Sequence, residues 1–374
     1  MRIAMITPWN TNSGPSTHAE LIGREWVRMG YNLKIFAHNG SKFVEGTIIQ
    51  EDEPFVVRCW GTSYWGKEDW LNPKPILETN FDIFVTQNLD ILPKKELLKI
   101  YSEIKRKSAT VLVWHEGFLP TDPTFYMFDW DVVVCFDERY KKLLTKVYPQ
   151  DKIKIIPFPC HPILRDDKNF ARLKLGLPLD KKIVLMFGYS VWRNLPILPA
   201  LKELSKTYPV HLLVLTQDLP SFKKFMEAKN KYNFPIEVRW ESPPLRKLYS
   251  YLHASDVCVK HVEDDELSKN HVVLSSTVYL CLGSGCPMVV SDAKIFETLN
   301  KEVLKYPQSN LEKFKARMIE VFENKKSLTE TMKAAEEFVK IRSPNKIARM
   351  FIQLFETLVS ERGVIEVLRH VKAT

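Results

Sequence analysis

His115 closes the apolar run "TVLVW" and is followed directly by Glu116 and Gly117. The carboxyl end of a buried strand is where α/β sheets place ligand-handling groups. A neutral imidazole there can hydrogen-bond a hydroxyl or take its proton; a packed structural histidine is the other reading of the position. A second histidine, His18, falls in the first turn of a helix entered through "NSGPST". Gly14 supplies the turn, and Ser16 and Thr17 add hydroxyls to the free N–H groups of the helix start. That combination suits a phosphate or a sugar hydroxyl, and it also describes an ordinary strand-to-helix turn. Ser275, Ser276 and Thr277 repeat the arrangement ahead of "VYLCL", where hydroxyls can either cap the helix or hold a diphosphate.

The elements that would carry these residues are short apolar runs alternating with amphipathic helical stretches, the pattern of βα units around parallel sheets. One series predicts strands at 3–7, 32–37, 82–86, 110–114, 131–136 and 152–157. A second predicts them at 182–187, 210–215, 236–240, 257–260 and 287–291. His18, Ile22, Trp26 and Met29 form one stripe on the first helix. The segment around 160–180 is rich in Pro and charge and lacks a strand pattern, which places a domain junction there. From Ser343 onward the pattern is helical. The expected partition is an N-terminal acceptor-side domain over 1–165, a C-terminal donor domain over 166–342 and a helical tail over 343–374. Ligands bind beyond the carboxyl ends of such strands, so two facing domains imply a site in the cleft between them.

Composition narrows the partners. With 374 residues, 45% hydrophobic and 26% charged, the chain is globular and of two-domain length. Residues 1–150 carry 18 basic and 19 acidic side chains, so the whole net charge of +9 comes from the remainder. An anionic small molecule bound there explains the excess. A nucleic-acid role lacks a basic–aromatic motif to support it. The 6 cysteines show no CxxC pair, which fits neither a zinc site nor a disulfide framework and suits a reducing cytosol. The opening run has no apolar secretory core and no stretch is long enough to span a bilayer, so a cytoplasmic protein is expected. The basic helix "PKKELLKIYSEIKRKS" presents Leu97, Ile100, Tyr101 and Ile104 on one face. It reads first as a helix docked on its sheet and second as a peripheral membrane contact. "CWGTSYWGKEDWLNP" gathers Trp60, Tyr64, Trp65 and Trp70 in a loop-like stretch, either a sugar-stacking acceptor surface or a small satellite core.

Several segments in order resemble glycosyltransferase family 4, whose members are nucleotide-sugar-dependent and have the GT-B fold. The opening strand–turn–helix is similar to that family's first βα unit. "WDVVVCFDERYKKLL" resembles its "ADxVVAVSExxKxxL" segment, and "KIKIIPFP" its last strand before the linker. "KKIVLMFGY" resembles the first donor-domain strand, "LRKLYSYLHASDVCV" the "LxxLYxxADVFV" step and "LGSGCPMVVSD" the "MACGxPVVxSD" turn. The resemblance implies two doubly wound Rossmann-like domains facing across a cleft, with a C-terminal helix returning toward the first domain.

In the family, a Gly after the first donor-domain strand is followed by an Arg and then a Lys that hold the diphosphate. Here the text is "FGYSVWRNL": Gly188 matches, Tyr189 takes the Arg place, and Arg193 stands one position before the expected Lys. Arg193 retains the bidentate chemistry that a phosphate requires. The family's paired glutamates are absent in register, since Val272 and Leu280 occupy their places. Counting forward from Asp256 instead sets Asp265, within the acidic run Glu263–Glu266, where the first glutamate would stand. A solvated acidic loop is the other reading of that run.

The resulting expectation is an enzyme moving a hexosyl group from a nucleoside diphosphate sugar to a hydroxyl acceptor, with retention of configuration and without metal or other cofactor. His115, Arg193 and Asp265 would serve catalysis. Gly188, Tyr189, Arg193, Ser275, Ser276 and Thr277 would bind the donor, and Gly14, Ser16, Thr17 and His18 would line the acceptor or phosphate loop. The acceptor and the oligomeric state stay open. Two alternatives are a nucleotide-sugar-binding protein of the same fold with reduced catalysis, prompted by Val272 and Leu280, and a nucleotide-sugar epimerase.

Overall fold

A computed structural model describes residues 1–40, 47–265 and 271–373. The chain divides into two compact units, one formed by Met1–Pro159 with Pro344–Thr374 and the other by Cys160–Ser343. Each is built on its own sheet, wholly parallel in the second unit and parallel but for one edge strand in the first.

The sheet of the first unit is eight-stranded. Its strands are β1 (Arg2–Ile6), β2 (Asn32–His38), β3 (Val56–Gly61), β4 (Trp70–Leu71), β5 (Ile83–Gln87), β6 (Ala109–Val113), β7 (Val132–Cys135) and β8 (Ile153–Ile155). Their order is β4-β3-β2-β1-β5-β6-β7-β8, and only β4 runs antiparallel to its neighbour. The second sheet is six-stranded and parallel, with β9 (Lys182–Phe187), β10 (Val210–Thr216), β11 (Ile236–Trp240), β12 (Val257–Lys260), β13 (Met288–Ser291) and β14 (Leu304–Tyr306) in the order β11-β10-β9-β12-β13-β14. In each sheet the winding reverses beside one central pair, β1/β5 and β9/β12. Crevices for ligands open at the carboxyl ends of such pairs.

A repeated sequence device sets the strand register. Asp82, Asp131 and Asp256 open the similar runs "DIFV", "DVVV" and "DVCV". Each carboxylate accepts the backbone N–H at the start of the neighbouring strand: Asp82 from Arg2, Asp131 from Thr110 and Asp256 from Ile183, all at 2.7 Å. Arg172, itself buried, secures Asp256 with an ion pair of 2.6 Å. The aspartates therefore belong to the amino edge of the sheets and leave the carboxyl edge for chemistry.

The first helix (Gly14–Arg28) buries His18, Ile22 and Trp26 on the predicted stripe. The last helix (Pro344–Ala373) packs on it within the first unit. Trp26 donates to the carbonyl of Ala348 at 3.2 Å and meets Phe351 and Phe355 edge-on. The basic helix (Lys94–Lys107) buries Leu97, Tyr101 and Ile104, so its apolar face is spent on this unit. The tryptophan-rich stretch differs from the expected loop, because β3 and β4 run through it. Trp60 is fully buried and donates to the carbonyl of Phe36, whereas Tyr64 is 67% exposed. Among the described residues no helix is long and apolar enough to cross a membrane.

Candidate functional site

In the first unit the turn after β1 is held from behind. Asn10 adopts a left-handed φ of 55°, a conformation asparagine tolerates better than most residues. Its amide gives hydrogen bonds to Asp52 and Glu53, and its backbone N–H gives one to Glu20. Ser13 caps the first helix. The Ser16 hydroxyl donates to Glu20 at 2.6 Å and accepts from the N–H of Thr11, while Thr17 donates to the carbonyl of Ser13. The hydroxyls of Ser16 and Thr17 thus shape the turn, with Gly14 as the first residue of the helix.

His18 and His115 are brought together. Their rings lie 5.2 Å apart, edge to face, and both reach Gln87 at the end of β5: His115 Nε2 at 2.7 Å and His18 Nδ1 at 3.1 Å from its Oε1. Burial disfavours the imidazolium in each. It pushes His18 down to about 3 and His115 well below the ordinary value, the latter helped by the neighbouring His18. Glu116 accepts the backbone N–H groups of Asp90 and His115, at 2.9 and 3.0 Å, and clasps the ends of β5 and β6; burial raises its carboxyl to about 7.

In the second unit the chain leaves β9 through Gly188, at a φ of 108° with open space where a side chain would stand. This backbone is one that L residues rarely adopt. Tyr189 follows, exposed, and Arg193 lies exposed in the turn Val191–Ile197 with its guanidinium beside the Trp192 ring. The neighbouring β12 ends at Lys260. Burial lowers the affinity of its ammonium for a proton, and Arg193 acts in the same direction. Among the described residues neither cation has an ion-pair partner. Two such cations at the end of the β9/β12 pair can attract an anion.

The helix Ser276–Cys281 starts on the same carboxyl side of the sheet. Ser275 precedes it but makes no capping hydrogen bond, and its buried Oγ has no partner among the described residues. Ser276 and Thr277 are half-buried. The acidic run is divided. Glu263 reaches His261 at 3.3 Å, Asp264 accepts the backbone N–H of Lys294, and Asp265 is exposed. Glu266 lies outside the described residues. Val272 and Leu280 are partly buried apolar side chains, and no carboxylate stands at either position. Among the described residues no group of three His, Cys, Asp or Glu side chains could hold a metal ion.

Gln87 and Lys260 are the contributors that sequence reading passed over. Gln87 and Lys260 both carry the signal that singled out His115, a polar residue ending an apolar run.

Two doubly wound parallel sheets with a long C-terminal helix define the GT-B fold. No protein-family model matches the chain. Solved structures are similar over almost its whole length. Sucrose-phosphate synthase from Thermosynechococcus elongatus is 14% identical, with a TM-score of 0.67 over 96% of this chain and 100% of that one. Anabaena HepE in complex with UDP-glucose is 13% identical, with a TM-score of 0.67 and the same coverage. A glycosyltransferase from Rickettsia africae is 16% identical, with a TM-score of 0.65 over 96% and 98%.

Proposed function

We propose that this protein is a glycosyltransferase that moves a hexosyl group from a nucleoside diphosphate sugar to a hydroxyl acceptor. The observation carrying this reading is the unpaired cation pair Arg193 and Lys260 at the β9/β12 switch point, beside the open backbone of Gly188. A diphosphate satisfies both cations and can approach Gly188 closely because no Cβ stands in the way. Tyr189 and the Ser275–Thr277 segment complete the donor-binding surface, with the orphan Ser275 hydroxyl available to a phosphate oxygen.

Cleavage of the sugar–phosphate bond leaves negative charge on the departing diphosphate. Cations already fixed at that place stabilise the charge without reorganising in the transition state. Arg193 and Lys260 supply this neutralisation in our reading, so no metal or resident cofactor is assigned. In the first unit, His115 is neutral at physiological pH and able to hydrogen-bond a hydroxyl. We assign retention of anomeric configuration and a cytoplasmic setting to the same reading. UDP-glucose bound to the structurally similar HepE supports a nucleotide sugar as the donor class.

Binding without transfer is the second reading, favoured by Val272 and Leu280 and by the commitment of Asp264 to the Lys294 backbone. The test is a thermal-shift screen against UDP-, GDP- and ADP-sugars, followed by nuclear magnetic resonance of the anomeric proton in any glycoside formed. Stabilisation by one donor and a product of retained configuration are expected. Absence of stabilisation by all three classes refutes donor binding; stabilisation without transfer or hydrolysis over a panel of acceptors selects the second reading. Arg193→Ala is expected to lower turnover or donor affinity, and wild-type kinetics in that variant would remove Arg193 from the site.

A further inference from the structure

Gln87 is fully buried at the carboxyl end of β5, with polar or sulfur atoms on both ends of its amide. Its Nε2 lies 3.4 Å from Met5 Sδ, and its Oε1 faces His115 Nε2 at 2.7 Å and His18 Nδ1 at 3.1 Å. A thioether sulfur can accept a hydrogen bond but cannot donate one, which assigns the amide NH2 to the Met5 side. The oxygen is then left between the two rings. A carbonyl oxygen facing two ring nitrogens is satisfied only when each nitrogen carries its hydrogen. A lone pair at either place would meet the lone pairs of the oxygen.

A neutral imidazole has one N–H to give. In both rings that hydrogen is committed to Gln87, so the opposite nitrogens are acceptors. His18 Nε2 is buried with no partner among the described residues, in a ring packed against Phe136, Phe158 and Phe351. That nitrogen is sealed from solvent. His115 Nδ1 also lacks a partner among the described residues, but this ring is only partly buried and the nitrogen is not among the sealed polar atoms. Of the two lone pairs, the one on His115 is open to a ligand.

We propose that Gln87 is a positioning residue that holds His115 as the Nε2–H tautomer, so that Nδ1 offers a lone pair to a hydroxyl group of the sugar substrate. The nature of the ligand rests on the glycosyltransferase reading; the tautomer does not. The opposite tautomer would present an N–H there and could only donate to the ligand. His18 acts in the same assembly as the second donor on Gln87, and the Met5 contact keeps the amide from turning over.

The tautomer can be read directly. With 15N-labelled histidine, two-bond nitrogen–proton correlations separate protonated from unprotonated ring nitrogens, and the His115 signals are assigned by their loss in His115→Gln. Wild type is expected to show protonated Nε2 and unprotonated Nδ1 at His115. Gln87→Met removes the oxygen at nearly constant volume. It is expected to convert His115 to a mixture of tautomers and to lower kcat about tenfold or more, leaving KM for the donor within about twofold. A wild-type spectrum with protonated Nδ1, or an unchanged tautomer in Gln87→Met, overturns the proposal. If Gln87→Met does not fold, the wild-type spectrum decides alone. A locked Nε2–H tautomer in a protein that transfers no sugar would sink the function while sustaining the role of Gln87.

Discussion

Asn194 Oδ1 accepts the backbone N–H of His261 at 2.6 Å, while its Nδ2 donates to the carbonyl of Val191 at 2.9 Å. One buried side chain thereby ties the turn that carries Arg193 to the residue that follows Lys260. The two cations come from β9 and β12 connections more than sixty residues apart in the sequence, and this bond links the two connections beyond the strand pairing itself.

Removal of that tie should be felt in both stability and binding. Asn194→Ala leaves the buried His261 N–H without its acceptor, at a cost of about 1–3 kcal/mol. The urea midpoint is expected to fall by the corresponding amount. Calorimetric affinity for inorganic pyrophosphate should fall with it, because Arg193 is no longer held beside Lys260. An unchanged midpoint would show that the bond contributes nothing.

Lys260 separates the cost of a site from its use. A partly buried ammonium close enough to the Arg193 guanidinium to be repelled by it, with no ion-pair partner among the described residues, is unfavourable until an anion arrives. Lys260→Met keeps the volume and removes the charge. The ligand-free variant is therefore expected to be as stable as wild type or more so. Pyrophosphate should stabilise it less, since each charge-assisted hydrogen bond is worth about 1.5–3 kcal/mol and its loss weakens Kd by roughly tenfold or more. A less stable ligand-free variant, or one stabilised by pyrophosphate as much as wild type, would remove Lys260 from the anion site.

Legibility in the sequence followed the same division between local and long-range information. Eleven predicted strands match observed ones to within about two residues, because buried parallel strands are continuous apolar runs that a short window detects. The missed strands have specific reasons. β3 contains Arg58, whose guanidinium pairs with Asp52 at 2.7 Å and breaks the apolar pattern. β4 and β14 have only two and three residues. At the site, His115 was legible as a polar residue ending an apolar run. Its partner Gln87 was not, because pairing the two depends on β5 lying beside β6. Lys260 likewise acquires meaning only from the adjacency of β9 and β12.

Acid stability offers a test of the buried histidines with opposing contributions of known sign. His18 falls from an ordinary 6.5 to about 3 in the folded chain, so between those values the unfolded state binds more protons. Its contribution to stability is fully present above pH 6.5 and is lost as the pH falls toward 3, by up to ~1.4 kcal/mol per unit. His115 is shifted in the same direction and adds to the loss. Glu116 opposes both: raised from 4.5 to about 7, it binds more protons folded than unfolded, and its contribution is lost as the pH rises through that window. Between pH 4.5 and 6.5 the two histidines and Glu116 therefore act in opposite directions. His18→Phe keeps an aromatic ring against Phe136, Phe158 and Phe351 and deletes one of the two rising contributions. In urea titrations across pH 4 to 7, the variant is expected to lose less stability on acidification than wild type, with the difference confined to the range below about 6.5. Parallel profiles for the two proteins would show that His18 is not held neutral by burial.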